Sequence, residues 1–199
     1  ILISKALNKI YRIKKDKILI LHDGVDIKNF SFKKPNIKIK NATYIGSFYK
    51  GRGIDLITKL AKKFKKINFN LYGQEINHNK LRLKNIKIFN HIDYQKVPKI
   101  LLKADLLLMP YENQVFIRHK SINTANYCSP LKMFDYLAAG RVILSSKLAG
   151  ICEVLQHKNN AIVIDKYDPQ TWIEEINNLL NNKYNLKKIR INSIKTAKK

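Results

Sequence analysis

The sequence predicts an α/β fold in which helices cover both faces of a doubly wound parallel sheet. Short apolar segments that fit buried strands alternate with longer segments whose apolar residues recur at helical spacing. This alternation is typical of parallel sheets, because each parallel strand needs a crossover connection to the next. A third observation is the segment 129–145, where a helix with clear start and stop signals leads directly into an apolar strand.

The length and composition fit one globular domain. The chain has 199 residues with 45% hydrophobic content, which is enough to bury a sizeable core. It begins without Met, and we find neither a secretory signal nor an apolar stretch long enough to span a bilayer. We therefore expect a fragment of a cytoplasmic protein, either soluble or peripheral on the inner face of the plasma membrane.

The charge balance is strongly basic, with 39 Lys and Arg against 14 Asp and Glu and a net charge of +25. Such a balance suits nucleic acid, an anionic membrane surface or an anionic substrate. However, lysine is enriched together with isoleucine and asparagine, as an AT-rich coding sequence produces without selection for binding. We divide the charge between this bias and a membrane role. Nucleic acid ranks third because no basic–aromatic recognition motif accompanies the charge.

Cysteine and histidine usage predicts neither disulfides nor metal binding. Cys128 and Cys152 are typical of reduced thiols in a cytoplasmic protein. The histidines show no metal-ligand spacing; they are His22, His78, His91, His119 and His157. We expect no metal site and no cofactor.

The first third of the chain predicts two strands and a helix. Residues 17–21 form an apolar strand, residues 22–26 a turn, and residues 30–40, with Pro35, a basic connector. Residues 42–47 form the next strand, and an apolar stripe predicts the helix that follows, with Ile54, Ile57, Leu60, Ala61 and Phe64. Between them, the glycine-rich turn 48–53 would let backbone approach a ligand, and Arg52 could reach a phosphate.

The middle of the chain continues the alternation. Residues 68–73, 86–89 and 105–109 predict strands, with a helix around 97–101 before the last of them. Residues 91–93 lie at the carboxyl edge, where such sheets bind ligands, although an ordinary loop with Asp93 as helix cap is equally consistent. The irregular stretch 111–128 contains Arg118, His119 and Lys120, and long loops of this kind are either functional or simply mobile.

Near the end of the chain, residues 150–155 predict a short helix and residues 161–164 the last strand. Asp168 and Pro169 open a further helix, because Asp is a good N-cap and Pro suits the first helical position. We expect Trp172 on that helix to lie in the core.

The segment 129–140 carries the clearest functional signal. Ser129 is a good N-cap, Pro130 suits the first helical position and Gly140 ends the helix. Leu131, Phe134, Leu137 and Ala138 then share one face, which leaves Lys132 and Asp135 together on the other. A helix N-terminus with a nearby lysine can bind an anion. The alternative is an ordinary surface helix with a Lys132–Asp135 ion pair.

The run from Ser129 to Gly140 resembles the most recognisable segment of the family-4 type GT-B glycosyltransferases. Residues 22–26 are similar to that family's Asn-Gly-Val-Asp signature, and the motifs keep the family order from Ile18 onward. The resemblance implies a Rossmann-like domain, the C-terminal nucleotide-sugar-binding half of such an enzyme. Residues 1–40 would be a remnant of the N-terminal acceptor domain and linker, and 41–199 the donor domain. Residues 194–199 would precede a terminal crossover helix.

The same resemblance assigns roles to individual residues. Arg52 and Lys132 would be catalytic, Asp135 would bind ribose, and His91 and Ile92 would lie beside the nucleobase. The donor diphosphate would be bound by Gly46, Ser47, Arg52, Ser129, Leu131 and Lys132. Glu153 occupies a further acidic position of the family.

Three positions depart from the family pattern. Ser47 stands where many relatives have arginine. Of the family's two glutamates, the second corresponds to Asp135 and the first to Tyr127. Tyr127 and Cys128 would therefore face the donor sugar without the usual acid, which leaves the identity of the sugar open.

The implied reaction moves a sugar from a nucleoside diphosphate donor to a glycan or lipid-linked acceptor in bacterial cell-surface polysaccharide biosynthesis. The resemblance implies retention of configuration without a metal, and an isolated chain that is inactive because acceptor-side residues lie in the N-terminal domain. A nucleotide-sugar epimerase or phosphorylase is the alternative within this fold. A basic nucleic-acid-binding module is the alternative from a different class.

Overall fold

A computed structural model describes residues 1–31, 38–73, 83–116 and 123–199 of the chain. Within these residues six strands form one parallel sheet in the order β3-β2-β1-β4-β5-β6. The strands are β1 Asn41–Ile45, β2 Asn68–Tyr72, β3 Ile86–Phe89, β4 Leu106–Met109, β5 Val142–Ser146 and β6 Ile162–Ile164. The strand order reverses direction between β1 and β4, and ligands bind at such switch points in open α/β sheets. The predicted fold class is confirmed.

Helices connect the strands, as the alternation predicts. They are α1 Lys5–Tyr11, α2 Ile54–Lys63, α3 Val97–Leu101, α4 Lys132–Ala139, α5 Ala149–Cys152, α6 Pro169–Leu180 and α7 Leu186–Ala197. Three short 3-10 turns occur at Lys15–Lys17, Ile27–Asn29 and Tyr94–Lys96. No helix of the described ranges is both long enough and apolar enough to cross a membrane.

The core consists of two apolar clusters, one on each face of the sheet. Along β4, Leu106 and Leu108 belong to one cluster and Leu107 and Met109 to the other, because successive strand side chains point to opposite faces. Helices α2 and α6 pack on the first cluster, which includes the fully buried Trp172. Helices α3 and α4 pack on the second. The sheet is therefore doubly wound, and the prediction of a core role for Trp172 is confirmed.

The predicted start of α6 is also confirmed. The Asp168 carboxylate accepts hydrogen bonds from the Gln170 and Thr171 N–H groups at 2.9 and 3.1 Å, and Pro169 occupies the first turn. This side chain satisfies two N–H groups that a helix start leaves without partners.

The strand predicted at 17–21 is wrong. Residues Lys15–Lys17 form a 3-10 turn, and Ile20 makes only an isolated parallel bridge with Leu2. Leu19 and Leu21 are each 59% exposed, so their apolar character does not reflect burial in a sheet. A single bridge supplies too few hydrogen bonds and too little buried surface to extend a strand.

The capping role predicted for Ser129 is wrong. Helix α4 begins at Lys132, and the Ser129 hydroxyl is buried with no hydrogen-bond partner among the described residues. The chain instead enters the helix through a turn in which Met133 N–H donates to Pro130 O at 2.8 Å. The other end agrees with the prediction, because Gly140 closes the helix in the left-handed region at φ 59°.

The segment before β1 packs on the rest of the described chain through a carboxylate. Glu153, which follows α5, accepts hydrogen bonds from Lys5 N–H and Ala6 N–H, each at 2.7 Å. It thereby occupies the N-terminus of α1, where a negative charge is favourable. The division of the chain at residue 40 stays a prediction. Several residues named above, Pro35, His78, Arg118, His119 and Lys120, lie outside the described ranges.

Candidate functional site

A cleft of about 620 Å³ lies at the carboxyl edge of the sheet, beside the switch point between β1 and β4. Its walls come from the segments after β1, β2, β3 and β4 and from the start of α4. Most of the predicted site residues line it: Gly46, Ser47, Arg52, His91, Ile92, Leu131, Lys132 and Asp135. The fold thus brings together residues that are as much as 89 positions apart in sequence, between Gly46 and Asp135.

Lys132 extends from the start of α4 toward the end of β1. Its Nζ donates a hydrogen bond to Ile45 O at 2.9 Å and lies 4.0 Å from the centre of the Tyr44 ring. Burial lowers the pKa of Lys132 well below its ordinary value, and the nearby charge of Arg52 lowers it further. The ion pair with Asp135 that helical spacing allowed does not form.

Arg52 is the second cation of the cleft. Its guanidinium carbon lies 5.2 Å from the centre of the Tyr111 ring, and its Nε is buried with no hydrogen-bond partner in the described part of the chain. The ion pairs of the described residues include neither Arg52 nor Lys132. Two neighbouring cations without a carboxylate are electrostatically unfavourable, and a bound anion relieves that repulsion.

The start of α4 supplies further hydrogen-bond donors. No described residue accepts a hydrogen bond from Leu131 N–H or Lys132 N–H, the groups that a Ser129 cap would have occupied. Leu131 does not join Phe134 and Leu137 in the core as predicted, but is 67% exposed and lines the cleft. The positive end of the helix dipole therefore opens onto the same space as the two cations.

Gly46 allows Lys132 to reach β1. The residue has φ 146°, and a Cβ at this position would lie 2.7 Å from Lys132 Nζ and 3.2 Å from the Tyr44 hydroxyl. A side chain here would displace the lysine head group. The requirement for glycine follows from the space between β1 and α4, which the sequence motif alone does not reveal.

The other two glycines of this region have a packing role that the sequence analysis did not predict. A Cβ on Gly51 would lie 1.9 Å from Gln114 O, and one on Gly53 would lie 1.8 Å from Pro110 O. These glycines let the turn after β1 pack against the backbone that follows β4. The absence of side chains at these two glycines allows two loops of the protein to contact each other. Arg52 lies between the two glycines in sequence.

Asp135 accepts a hydrogen bond from the Tyr94 hydroxyl at 2.9 Å, which joins α4 to the loop after β3. The carboxylate is partly buried, and burial raises its pKa. Burial and the hydrogen bond to Asp135 raise the pKa of Tyr94 to about 12, so the phenol stays protonated and donates. Asp135 lines the cleft, and no described residue donates a hydrogen bond to its second carboxylate oxygen.

The loop after β3 brings His91 and Ile92 to the cleft, and their place beside a nucleobase stays a prediction. Asp93 stands at the N-terminal position of the turn Tyr94–Lys96, but its side chain makes no capping hydrogen bond. It pairs instead with Lys96 Nζ at 2.9 Å. The predicted position of Asp93 at the start of this turn is therefore correct, but its side chain does not form the predicted capping hydrogen bond.

Tyrosines form much of the cleft wall, and the sequence analysis missed them. The Tyr136 hydroxyl accepts a hydrogen bond from Ile45 N–H at 2.9 Å and so fixes the end of β1 to α4. Tyr72, at the end of β2, stacks on Phe89 at 4.4 Å between ring centres. The further tyrosines that line the cleft are Tyr49, Tyr94 and Tyr111. For Tyr72 at the end of β2 and Tyr111 just after β4, the position at the carboxyl edge was the available signal, because that edge binds ligands.

Three predicted residues do not line the cleft. The Ser129 hydroxyl is buried, Tyr127 O accepts a hydrogen bond from the Ser4 hydroxyl at 3.5 Å, and Cys128 lies within electrostatic reach of both cations. Burial raises the pKa of the Cys128 thiol. Placement of the donor sugar near Tyr127 and Cys128 stays a prediction. Across the described ranges, no three His, Cys, Asp or Glu side chains are grouped as metal ligands.

Comparisons with known proteins identify the family and the fold of this chain. A sequence model of the family described as glycosyl transferases group 1 matches residues 39–182. No curated protein matches the chain in sequence.

Among solved structures, the chain is similar to a glycosyltransferase from Rickettsia africae (14% identity, TM-score 0.76). It is also similar to HepE from Anabaena in complex with UDP and glucose (14% identity, TM-score 0.78). Each match covers 98% of this chain and 57% of the other. A third similar structure is WaaG, a glycosyltransferase involved in lipopolysaccharide biosynthesis (18% identity, TM-score 0.73; 99% of this chain and 57% of that one).

At these identities the structural matches establish the fold, and the chain spans about 57% of the length of these relatives. The family match covers most of the chain. The chain therefore belongs to the glycosyl transferases group 1 family, as a Rossmann-like domain of a GT-B glycosyltransferase of the family-4 type.

Proposed function

We propose that this chain is the donor-binding half of an enzyme that transfers a sugar from a nucleoside diphosphate-sugar to a glycan or lipid-linked acceptor. The observation that carries the proposal is the pair of cations, Arg52 and Lys132, which share one cleft with no carboxylate partner among the described residues. The free N–H groups at the start of α4 open onto the same space. A diphosphate carries the charge and the acceptor oxygens that this arrangement lacks.

In the proposed reaction the cations act on the leaving group. The bond between the anomeric carbon of the sugar and the diphosphate oxygen breaks, and negative charge grows on that departing oxygen. A bond forms from an acceptor hydroxyl oxygen to the same carbon, and the hydroxyl proton passes to the diphosphate. Lys132, Arg52 and the N–H groups of Leu131 and Lys132 would stabilise that charge. Because Lys132 is fixed by Ile45 O before the reaction starts, little reorganisation is needed. Positive charge from the protein itself supports a reaction without a metal, and the family resemblance supports retention of configuration.

The nucleoside would lie along the wall formed by α4 and the loop after β3. One carboxylate oxygen of Asp135 accepts a hydrogen bond from the Tyr94 hydroxyl, and the second oxygen could accept one from a ribose hydroxyl. His91, Ile92 and the exposed part of Tyr72 line the adjoining region and suit a flat base. The UDP and glucose in the Anabaena relative support a nucleotide-sugar ligand.

The acceptor side would come from a second domain. The relatives are longer than this chain, which matches 57% of their length, and this supports an N-terminal acceptor domain as partner. The role of WaaG in lipopolysaccharide biosynthesis supports a part in bacterial cell-surface polysaccharide synthesis. The free cysteines Cys128 and Cys152 support a cytoplasmic location.

Calorimetric titration of the 199-residue chain with nucleotides tests the proposal. We expect a nucleoside diphosphate to bind more tightly than the matching monophosphate, because only the diphosphate contacts both cations and the helix start. UDP, GDP and ADP titrated in parallel identify the base. Equal affinity for mono- and diphosphates would overturn the assignment, and tighter binding of any duplex nucleic acid, lost steeply with salt, would favour a nucleic-acid module.

A further inference from the structure

A second concave surface lies at the opposite edge of the sheet from the donor cleft. It has a volume of about 820 Å³ and lies where β1 and β2 begin. Three segments line it: residues 38–40 before β1, residues 63–67 between α2 and β2, and the end of α6. We call this surface the basal pocket. None of its lining residues belongs to the donor cleft.

The rim of the basal pocket is basic. Its lining, as far as the described ranges show, contains no acidic residue but five lysines: Lys38, Lys40, Lys63, Lys65 and Lys66. All five lysines are exposed, and the ion pairs of the described ranges include none of them. Lys63 in the last turn of α2 has a local explanation, because a cation there is favourable to the helix dipole. The other four lie outside helices and strands and have no such explanation.

The floor of the basal pocket is apolar. Ile39, Ile67 and Leu179 form its buried base, with Phe64 partly buried beside them. Leu180 at the end of α6 is 40% exposed and faces the same space. An apolar floor with lysines on two of its three sides matches an amphiphile whose anionic head meets the lysines while apolar groups reach the floor.

We propose that the basal pocket docks the chain on an anionic phospholipid surface. Charge complementarity selects an anionic partner, and the apolar floor favours a lipid over a fully hydrated polyanion. Both α2 and α6 end at this pocket, so they present carbonyl groups rather than the N–H groups that hold a single soluble phosphate. Among the described lining residues Phe64 is the only aromatic one, which gives bases little to stack on.

This surface would leave the donor cleft free. Parallel strands run from the basal pocket to the cleft, and five residues of β1 span about 17 Å. A chain resting on a bilayer at one edge therefore keeps the other edge open to nucleotide. This inference is independent of the proposed function, because vesicle binding and nucleotide binding are measured separately.

Vesicle sedimentation tests the proposal with two variants of equal charge. In the first, Lys38, Lys65 and Lys66 are replaced by Gln. In the control, Lys14, Lys15 and Lys17 are replaced by Gln; these exposed lysines lie outside the basal pocket. With vesicles of phosphatidylglycerol and phosphatidylcholine, we expect the first variant to bind on the order of a hundredfold more weakly. The control should lose much less, and vesicles of phosphatidylcholine alone should bind none of the proteins.

An equal loss in both triple variants would overturn the proposal, because attraction would then follow net charge rather than this site. Equal binding of the parent chain to neutral and anionic vesicles would overturn it as well. If the first variant lost affinity for a nucleic-acid duplex but kept its vesicle binding, the partner would be nucleic acid instead. Thermal unfolding of each variant verifies that the fold is intact.

Leu180→Asn provides a second test that leaves the charge unchanged. Leu180 is exposed at the end of α6, so the substitution removes apolar surface from the basal pocket with little effect on the core. We expect severalfold weaker binding to anionic vesicles and unchanged binding of nucleoside diphosphate. Vesicle binding equal to that of the parent would exclude contact of the floor with lipid.

Discussion

At the scale of single residues, the cleft is defined by charge that the described protein leaves without a counterion. Lys132 is removed from water, lies near Arg52, and is oriented by a backbone carbonyl rather than a carboxylate. A lysine with only a structural role would normally be exposed or paired. The charge of Lys132 therefore destabilises the ligand-free chain and stabilises the complex with a bound anion.

Removing either cation should weaken donor binding. Arg52→Ala and Lys132→Ala each delete a charge-assisted contact worth about 1.5 to 3 kcal/mol, so affinity for a nucleoside diphosphate should fall on the order of tenfold or more. Calorimetry on the 199-residue chain measures the change. Lys50→Ala is the matched control, because Lys50 lies in the same turn but does not line the cleft. If both cleft variants bind as tightly as the control, the phosphate assignment is wrong.

The lowered pKa of Lys132 predicts a pH dependence. A bound diphosphate favours the protonated amine and so raises this pKa toward its usual value of about 10.4. Affinity should be full below the pKa of the free chain and should fall as pH rises from there to the pKa of the complex. Over that window the unfolded chain binds more protons than the folded one, so this group makes the ligand-free chain more stable with rising pH.

Calorimetry across the alkaline range measures this slope. Lys132→Arg is the control, because a guanidinium stays charged throughout the window. Proton uptake on binding, detected by repeating the titration in buffers of different ionisation enthalpy, should disappear in that variant. A slope that is identical in the parent and in Lys132→Arg would assign the titration to another group.

Asp135 and Tyr94 should act together on the ribose. Asp135→Ala removes the hydrogen-bond acceptor. The variant should therefore bind a ribonucleoside diphosphate more weakly, whereas its affinity for an analogue without ribose hydroxyls should change little. Tyr94→Phe keeps the ring and removes the hydroxyl that orients the carboxylate. We expect it to reduce affinity for the ribonucleoside diphosphate less than Asp135→Ala does. When it is added to Asp135→Ala, it should cause no further reduction. If Asp135→Ala reduced the affinity for both ligands equally, Asp135 would have only a structural role.

For helix α4, the spacing of residues in the sequence predicts which side chains are buried in the core but not which partners the charged side chains contact. Helical periodicity correctly put Phe134 and Leu137 in the core, and Lys132 and Asp135 outside it. It also allowed these two charged residues to pair. The true partners, Ile45 O and the Tyr94 hydroxyl, come from other strands and loops, so no local pattern contains them.

At the scale of elements, the sequence predicts segments best where one local force dominates. β4 at Leu106–Met109 and the start of α6 at Asp168 agree with prediction because burial or a side-chain cap determines them. The predictions fail at 17–21, where apolar residues lie on the surface, and at Ser129, where a turn replaces the cap. In the first case too little surface is buried to extend a strand, and in the second a local turn replaces the side-chain cap.

The glycines after β1 should respond differently to the same substitution. Gly53→Ala would place a Cβ 1.8 Å from the Pro110 carbonyl oxygen, and backbone yields little. Gly46→Ala instead meets Lys132 Nζ, the flexible end of a side chain, although its positive φ still adds strain of about 1 to 3 kcal/mol. We expect Gly53→Ala to lower the free energy of unfolding more, and Gly46→Ala to weaken nucleotide binding about tenfold by moving the lysine.

Denaturant unfolding and calorimetry on the same samples separate these effects. Gly24→Ala is the control, because a Cβ there has no neighbour within 4 Å and should change stability by less than about 0.5 kcal/mol. If Gly46→Ala lowers stability as much as Gly53→Ala while nucleotide binding is unchanged, Gly46 supports the fold and not the position of Lys132.

At the scale of the whole molecule, strand order determines where the chemistry lies. Alternation of strands and helices predicted a parallel sheet, and the carboxyl-edge rule predicted the side on which ligands bind. Neither predicts that β1 and β4 are neighbours, which is what brings the Gly46 turn and the start of α4 to one cleft. That information resides in the packing of the two apolar clusters, which forms only when the entire sheet is assembled.

A cleft built from so many segments predicts that its ligand stabilises the whole domain. A nucleoside diphosphate present at a hundred times its dissociation constant adds about 2.7 kcal/mol to the free energy of unfolding. For a chain of this size each kcal/mol raises the melting temperature by roughly 2 to 4 °C, so an increase of about 5 to 11 °C is expected. At the same concentration a monophosphate should give a clearly smaller shift, and the Arg52→Ala and Lys132→Ala variants should reduce the diphosphate shift. An increase of equal size for the parent and both variants would mean that the nucleotide binds outside this cleft, and the lysine-lined basal pocket would then be the next surface to test.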